Sequence, residues 1–474
     1  MLKILIEKEI RDLIGSTKFA VTFGVCALLI IATFYVGAIR YKLNVSQYEA
    51  SRSEIYRAME GITDWIDVDE TSILLPPQKL DALVSGVTND INRTAHITGR
   101  GSIPTEDSRY GEDPIFATFR FIDLEFIFAV VLSLFAILLG YDTISGEKER
   151  GTLKLTFANP VPRQTYILGK LLGSLITLAV TIILALAIGS LLLMIMGINL
   201  SGDEWIRLML IIIAGLMFIS LFLILSIFIS TVTHRSANSF LILLVIWVLC
   251  IHIIPRASVL LAARSVNVIP EEEIAYQKSV MAAQLREEFG ASLLKLPAVP
   301  PGTPPEKQLQ AINEYMDSLS NLRWAKMNAL SSRLEEQRHN SQRVQEKLAM
   351  GIARVSPVTS FTLAITNLAG TSTELKDRFY DEAMRYQEQF GAFIKEKTGT
   401  NLGTWLRISA TVDDGSEPAK PEPINPREMP AFEFNNRNRQ ESIEAAMTDM
   451  GLLALFNIIF FAGAFVAFLR YDVR

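Results

Sequence analysis

The chain alternates between long apolar stretches and polar segments, and that alternation predicts most of its architecture. A helix needs roughly 20 mostly apolar residues to cross the hydrocarbon core of a bilayer. Six stretches qualify, at about 19–39, 124–141, 167–196, 206–232, 239–254 and 451–469. Ahead of the first, Leu2, Ile6, Ile10 and Leu13 recur at helical spacing while Lys3, Glu7, Lys8 and Arg11 take the other side. Residues 2–14 therefore read as an amphipathic helix, either lying in the membrane interface or extending the first span.

The segments between spans differ in kind. Residues 40–123 mix short helical patterns with Pro76, Pro77 and a Gly/Ser/Asp-rich run at 99–114, predicting a small, partly irregular domain with a modest core of Trp65, Ile73, Leu74 and Leu75. The connections 197–205 and 233–238 are short and force antiparallel neighbours. Residues 255–446 look helical. Ile274, Met281, Leu285 and Phe289 form one stripe, and the proline-rich run 297–305 breaks the chain. Leu309, Ile312, Met316 and Leu319 form a second stripe, continued loosely by Met327, Leu330, Leu334, Val344 and Leu348. Leu375, Phe379, Tyr386, Phe390 and Phe393 mark a third. Three such helices bury their stripes against one another, and slips near Arg323 and 337–341 argue against a coiled coil. Residues 410–440 read as an extended linker. The expected fold is an all-α membrane protein: interfacial helix and span one (1–39), a first external domain (40–123), spans two to five (124–254), an external helical domain (255–446), and span six with its tail (447–474).

Charge sorting orients this arrangement. Of 474 residues, 50% are hydrophobic and 20% charged, and the net charge of −5 matters less than where the charges lie. Lys3, Lys8, Arg11 and Lys18 precede span one; Lys148, Arg150, Lys154, Arg163 and Lys170 fill the second connection; His234, Arg235, Arg470 and Arg474 follow spans four and six. Short cytoplasmic segments retain Lys and Arg, so both termini are expected in the cytoplasm of a bacterial or archaeal cell, with 40–123 and 255–446 outside. Reading the first span as a signal peptide conflicts with Glu7, Glu9 and Asp12, with a long apolar core and with the lack of a cleavage site. Cys26 and Cys250 both fall inside apolar spans, which excludes a disulfide framework for the external segments. His96, His234, His252 and His339 show no metal-ligand spacing.

Candidate chemistry begins with an absence. The sequence has no G-x-x-x-x-G-K-[ST] stretch, so the chain does not bind ATP by that route. Nor does it contain G-x-S-x-G or H-E-x-x-H. It is not expected to be an enzyme by itself, and no metal, cofactor or nucleic acid is expected on it. The most informative stretch runs Tyr141-Asp142-Thr143-Ile144-Ser145-Gly146-Glu147-Lys148-Glu149-Arg150-Gly151-Thr152. Ser145 or Asp142 is placed to cap a short helix with carboxylates near its positive end. Gly151 is placed to end it with a positive φ. Asn159-Pro160-Val161-Pro162-Arg163 then turns rigidly into span three. Such a helix suits docking against another protein, although a solvated connection has the same composition.

The run G-E-K-E-R-G-T-L-K-L, followed by N-P-V-P-R and I-L-G-K-L-L-G, resembles the signature of the type-two ABC exporter permeases. The resemblance extends over all six spans and the N-terminal helix. It implies that Gly146, Glu147, Lys148, Glu149, Arg150, Gly151 and Thr152 form a coupling helix seated on a separate ATP-binding subunit, with Arg163, Gly169 and Lys170 behind it. ATP and magnesium would then be held by that partner, and two permease chains, alike or different, would pair. Weaker features are similar to a subgroup with large external domains, related to permeases of gliding motility and nitrous-oxide reductase maturation. These are Pro76-Pro77 with Leu80 and Val84-Ser85-Gly86-Val87, Ile254-Pro255-Arg256, and Ser356-Pro357 leading to Leu368-Ala369-Gly370-Thr371.

Ionisable residues near a bilayer raise functional questions by default. Asp123 and Glu125 sit at the outer start of span two, either lining an exit path or solvated at the interface. His252 and Pro255 sit at the outer end of span five, as a gate or as packing; Pro255 is expected to end or kink that helix. The functional expectation is export driven by a separate ATPase. Its rivals are a mechanotransmitting subunit that moves its external domain to regulate a periplasmic partner, and a membrane anchor or receptor without a motor.

Overall fold

The computed structural model describes residues 1–68, 70–98, 103, 105–106, 122–293, 304–399 and 423–471. Most of the 99–114 run, most of the 297–305 break, the 410–422 part of the linker and the last three residues lie outside the described residues. Among those described, six helices are long and apolar enough to cross a membrane: Thr17–Ala58, Leu124–Glu149, Arg163–Ile195, Gly202–Val232, Ser236–Ser265 and Arg439–Arg470, here spans one to six. Each contains one of the apolar stretches. The other principal helices are α1 (Leu2–Ile14), α2 (Ser145–Glu149, the tip of span two), α3 (Thr152–Ala158), α4 (Glu271–Leu293), α5 (Pro305–Ala353), α6 (Pro357–Ala369) and α7 (Glu374–Thr398).

Three elements depart from expectation. Span one does not stop near residue 39. Residues 40–58 contain no Gly or Pro, so nothing breaks the backbone, and the helix runs on for 42 residues to Ala58. At 1.5 Å per residue that is about 63 Å, roughly twice the hydrocarbon thickness. Pro255 does not end span five. A π-helical stretch, Leu249–Ile253, precedes it and widens the turn, and the helix continues to Ser265. Such bulges accommodate the missing N–H and the ring of a proline.

The third departure is a small sheet in a fold expected to be wholly helical. Strands β1 (Glu70–Leu74), β2 (Thr94–Thr98) and β3 (Thr105–Glu106) pair antiparallel in that order, with Ile73 opposite Ala95 and Thr71 opposite Ile97. These four side chains are buried. The strands alternate buried and less buried positions and carry β-branched residues, the ordinary pattern of half-buried strands. Their core is not self-contained. Ile73, Ala95 and Ile97 pack in one cluster with Leu375, Phe379, Tyr386 and Phe390 of α7, and Trp65 meets Phe393 edge-on at 4.9 Å. The segments before span two and after span five thus share one core.

Helices α4 and α5 form an antiparallel hairpin pinned by Arg338–Glu271 at 2.6 Å, Lys278–Glu335 at 2.6 Å and Lys326–Glu288 at 2.7 Å. Its inner face buries Ile274, Leu285 and Leu334, as the stripes predict. Helix α6 behaves differently. Its Phe361 stacks on Phe218 of span four with centroids 4.6 Å apart and lies 5.7 Å from Phe128 of span two. Val358, Phe361, Ala364, Ile365 and Leu368 all belong to the core of the spans.

Candidate functional site: the junction at the tips of the spans

The charge-dense loop between spans two and three folds as two short helices meeting at a corner. Helix α2 covers Ser145–Glu149, Gly151 turns with φ 71°, and α3 covers Thr152–Ala158. The positive φ at Gly151 is as predicted; a Cβ there would be strained. Residues 146–152 are therefore a helix end, a corner and a helix start, not one helix. Neither Ser145 nor Asp142 caps α2. The Ser145 hydroxyl donates to Tyr141 O at 2.9 Å, and Asp142 pairs with Lys18 at 2.8 Å. The cap comes from another span: the buried Ser230 hydroxyl accepts the N–H groups of Ile144 at 3.0 Å and Ser145 at 2.9 Å.

Three basic or acidic side chains of the loop and the turn after it, Lys148, Glu149 and Arg163, tie down the ends of other spans. Lys148 donates to the carbonyls of Thr231 and Thr233, the last of span four, the latter at 2.9 Å. Its ammonium lies 4.1 Å from the Tyr471 ring centroid, beyond span six. A cation at a helix C-terminus meets both orphan carbonyls and the negative end of the dipole. Glu149 accepts from the Ser236 N–H at 3.1 Å and the Ser236 hydroxyl at 2.9 Å, which places a carboxylate on the N-terminus of span five. Arg163 donates to Leu469 O at 3.2 Å and Tyr471 O at 2.9 Å at the end of span six. Among the described residues Arg150 bonds Gly146 O within its own turn, at 3.1 Å, and the Thr152 hydroxyl donates to Glu147 O at 3.3 Å.

Glu147 leads deeper. It accepts from the Tyr166 hydroxyl and pairs with Lys170 at 2.9 Å, and Lys170 pairs with Glu9 of α1 at 2.8 Å. The Ser174 hydroxyl donates to Glu9 at 3.4 Å. Lys170 is flanked by the two glycines that let α1 approach. A Cβ at Gly169 would stand 2.7 Å from the Leu5 Cβ, and one at Gly173 would stand 2.7 Å from the Glu9 Cβ. The I-L-G-K-L-L-G run is thus a groove for the N-terminal helix with a cation between its two glycines.

What remains outward is α3. Phe157 packs edge-on against Tyr166 with centroids 5.3 Å apart and lies 6.0 Å from Phe468, which fixes the inner face. Leu155 is 69% exposed, with Lys154, Ala158 and Asn159 also exposed around it. Through Gly151 the outward α3 is continuous with α2, whose Lys148 and Glu149 hold the ends of spans four and five.

At the opposite end of the spans, Asp123 is buried rather than solvated. It caps the start of span two, accepting from Phe126 N–H at 3.0 Å, and also accepts from Ser85 N–H at 3.1 Å. Burial pushes its carboxyl up from the ordinary value, while those N–H groups and the Arg40 guanidinium oppose the shift. Glu125 accepts from the Thr362 hydroxyl of α6 at 2.7 Å. Glu125 and Pro255 line one cavity of 760 Å³; Asp123 and His252 do not. His252 stands edge-on to Trp247 at 5.7 Å on the outer face of span five. The cost of Pro255 is met by a residue that the pattern did not single out as a partner. The Ile254 N–H bonds Leu249 O, so the next carbonyl, Cys250, would look to residue 255, which has no N–H. The Ser356 hydroxyl, ahead of α6, donates to Cys250 O at 2.6 Å instead.

The residues of the junction that sequence reasoning missed are Ser230, Ser236, Tyr166 and Glu9. The last two carried a signal: Tyr166 and Lys170 lie one turn apart on span three, and Glu9 falls on the apolar face of α1 beside Ile6 and Leu13.

No curated protein matches the chain. The model of one protein family, described as ABC-2 family transporter protein, matches residues 3–473. The chain therefore belongs to the ABC-2 family transporter proteins, as the membrane-spanning permease of an ABC transporter.

Proposed function

We propose that the α2–α3 corner is the coupling site of this permease, the place where a separate ATP-binding subunit delivers its stroke. Permeases of this family work with such a subunit. On this reading both termini and the corner face the cytoplasm of a bacterial or archaeal cell, and the sheet, the α4–α5 hairpin and α7 lie outside. Two chains, alike or different, pair to enclose a path for an exported substrate, because six spans alone make a thin wall. ATP and magnesium reside on the motor.

One observation carries the reading. Two charges of the loop, Lys148 and Glu149, are spent on the ends of spans four and five, while its apolar Leu155 is presented outward with the basic Lys154 beside it. A merely solvated connection has no need of either arrangement. The test is copurification of an ATP-binding subunit with this chain, followed by its ATP hydrolysis in reconstituted vesicles. Leu155→Asp is expected to release the ATPase while the permease elutes unchanged. If Leu155→Asp, and equally the Glu147→Lys plus Glu149→Lys pair, leave copurification intact, the corner is not the docking site and the motor-free anchor regains ground.

A second reading is supported by α6. A helix outside the six spans whose Phe361, Arg354 corner and Ser356 all grip spans is suited to moving the α4–α5 hairpin against a periplasmic partner, with no cargo. Deleting 270–400 separates the two: loss of function with measured flux intact favours mechanotransmission.

A further inference from the structure

Two cavities adjoin beside α5. One of 1010 Å³ lies among the α4–α5 hairpin, β3 and α7; the 760 Å³ cavity lies among span five, α5 and α6. His339, Gln342, Arg343, Lys376 and Asp377 line both. Each volume falls inside the range of roughly 300–1,000 Å³ usual for small-molecule sites, or at its edge.

The second cavity has two chemically distinct walls. Ile251, Pro255 and Val259 of span five, with Met350, Ala353 and Val358 opposite, make one wall apolar. Val259 is itself 59% exposed on the outer surface of span five beside Leu260 and Leu261, so the cavity opens sideways onto a face suited to lipid. The other wall is charged. Asp377 is compensated by Arg343 at 3.3 Å and faces His339 at 3.7 Å, and Glu125 is held by Thr362. Two charges are left over. The exposed Lys376 makes no ion pair among the described residues, and the Oε1 of Glu346 is buried without a hydrogen-bond donor among them. A buried carboxylate oxygen with no donor is costly unless something supplies one. Glu125 stands at the start of span two, so the charged wall sits where apolar chain gives way to head group.

We propose that this cavity binds an amphiphile of the phospholipid class with a primary-amine phosphate head. The ammonium donates to Glu346, the phosphate faces Lys376, and one acyl chain lies along Ile251, Pro255 and Val259. A primary ammonium has hydrogens to donate and a quaternary one has none, so the site discriminates between the two common zwitterionic heads. The inference rests on the transport reading only for its consequence, that such an amphiphile is the class of cargo. Binding itself requires neither ATP nor the motor, so a failure to bind and a failure to couple are separate results.

The experiment uses the full chain in phosphatidylcholine vesicles containing a minor fraction of phosphatidylethanolamine with a photoactivatable acyl chain, followed by peptide mapping of the label. Label is expected on Met350 and Val358 and is to be competed by added unlabelled phosphatidylethanolamine but not by extra phosphatidylcholine. Glu346→Gln and Lys376→Glu are each expected to lower it about tenfold, the equivalent of ~1.4 kcal/mol, and Ala349→Trp, which fills the space, to remove it. Label on Leu184, 56% exposed on span three, reports ordinary lipid contact and correct folding and should not change. Competition by phosphatidylglycerol as effective as by phosphatidylethanolamine, or label indifferent to Glu346→Gln, overturns the assignment. So does labelling of Met350 and Val358 no more saturable than that of Leu184.

Discussion

Lys170→Met isolates the charge chain that joins α1, α2 and span three. The lysine is flanked by Glu9 at 2.8 Å and Glu147 at 2.9 Å, and the three side chains are 16%, 9% and 17% exposed. Removing it leaves two carboxylates facing each other in a poorly solvated site. Breaking a buried pair from one side typically costs about 3–5 kcal/mol, most of it the stranded charge rather than the worth of the pair. Domains of 150–250 residues lose about 2–4 °C of melting temperature per kcal/mol and larger ones less, so a fall of up to about 10 °C is expected. The stranded charge is the diagnostic part. Glu9→Gln and Glu147→Gln added to Lys170→Met are expected to recover most of the loss, since a neutral site of similar shape has little to desolvate. Thermal unfolding of the purified chain in one detergent, across the single, double and triple variants, reads the coupling directly. A melting temperature within about 1 °C of the parent for Lys170→Met would falsify the claim that these ion pairs are structural. Additive losses in the triple variant would show that the three charges are independent.

Three further outcomes follow from single contacts. Gly173→Leu forces side-chain atoms into the backbone and Cβ of α1, overpacking worth about 1–3 kcal/mol; limited proteolysis should cut residues 2–14 faster while the spans stay intact, and unchanged cleavage would dissociate α1 from the groove. Ser356→Ala strands Cys250 O and is expected to cost about 1–3 kcal/mol, whereas in a Pro255→Ala background, where residue 255 regains its N–H, the same change should cost clearly less; equal costs would refute the substitution of one donor for the other. Asp449 is fully buried and accepts from Nε and Nη2 of Arg354, at 2.7 and 3.0 Å; Arg354→Ala should therefore destabilise more than Arg354→Ala with Asp449→Asn, as measured by thermal unfolding.

The spans were legible because their signal is additive: twenty weak preferences in a row outvote any one residue, and Gly or Pro boundaries need only local chemistry. Span one overran its apolar stretch for the complementary reason, that good helix formers such as Glu49, Ala50 and Arg57 give no stop signal. The sheet escaped because five residues cannot establish a period, and Thr71 to Leu74 reads equally well as coil. At the junction, the loop stood out by charge density alone. What its charges do depended on Ser230 and Ser236, more than 80 residues away, and a lone serine at the end of an apolar span carries no mark of its partner. The same holds at the other end: the proline's deficit is written in the sequence at 255, but its remedy lies at Ser356. Val84-Ser85-Gly86-Val87 and Leu368-Ala369-Gly370-Thr371 were conspicuous separately. In the fold they are one contact, Val87 N–H donating to Thr371 O at 3.0 Å beside Gly86 at φ 49°.

The two ends together constrain how the molecule can move. At the junction, each tie is short, and several are buried or charge-assisted, so the tips of spans two to six resist independent displacement. Compliance therefore has to come from within the spans, and two places offer it. Spans two and five each contain a π-helical stretch, Ile127–Leu132 and Leu249–Ile253, and the Trp247 Nε1–H donates to Ser133 Oγ at 2.8 Å between them. π turns leave backbone groups loosely committed, and here α6 holds both: Phe361 leans on Phe128 and Ser356 completes Cys250. On the proposed coupling, a stroke delivered at Leu155 is expected to emerge as a shift of α6 against spans two and five. The cavity between α6, α5 and span five is the space that such a shift would change first.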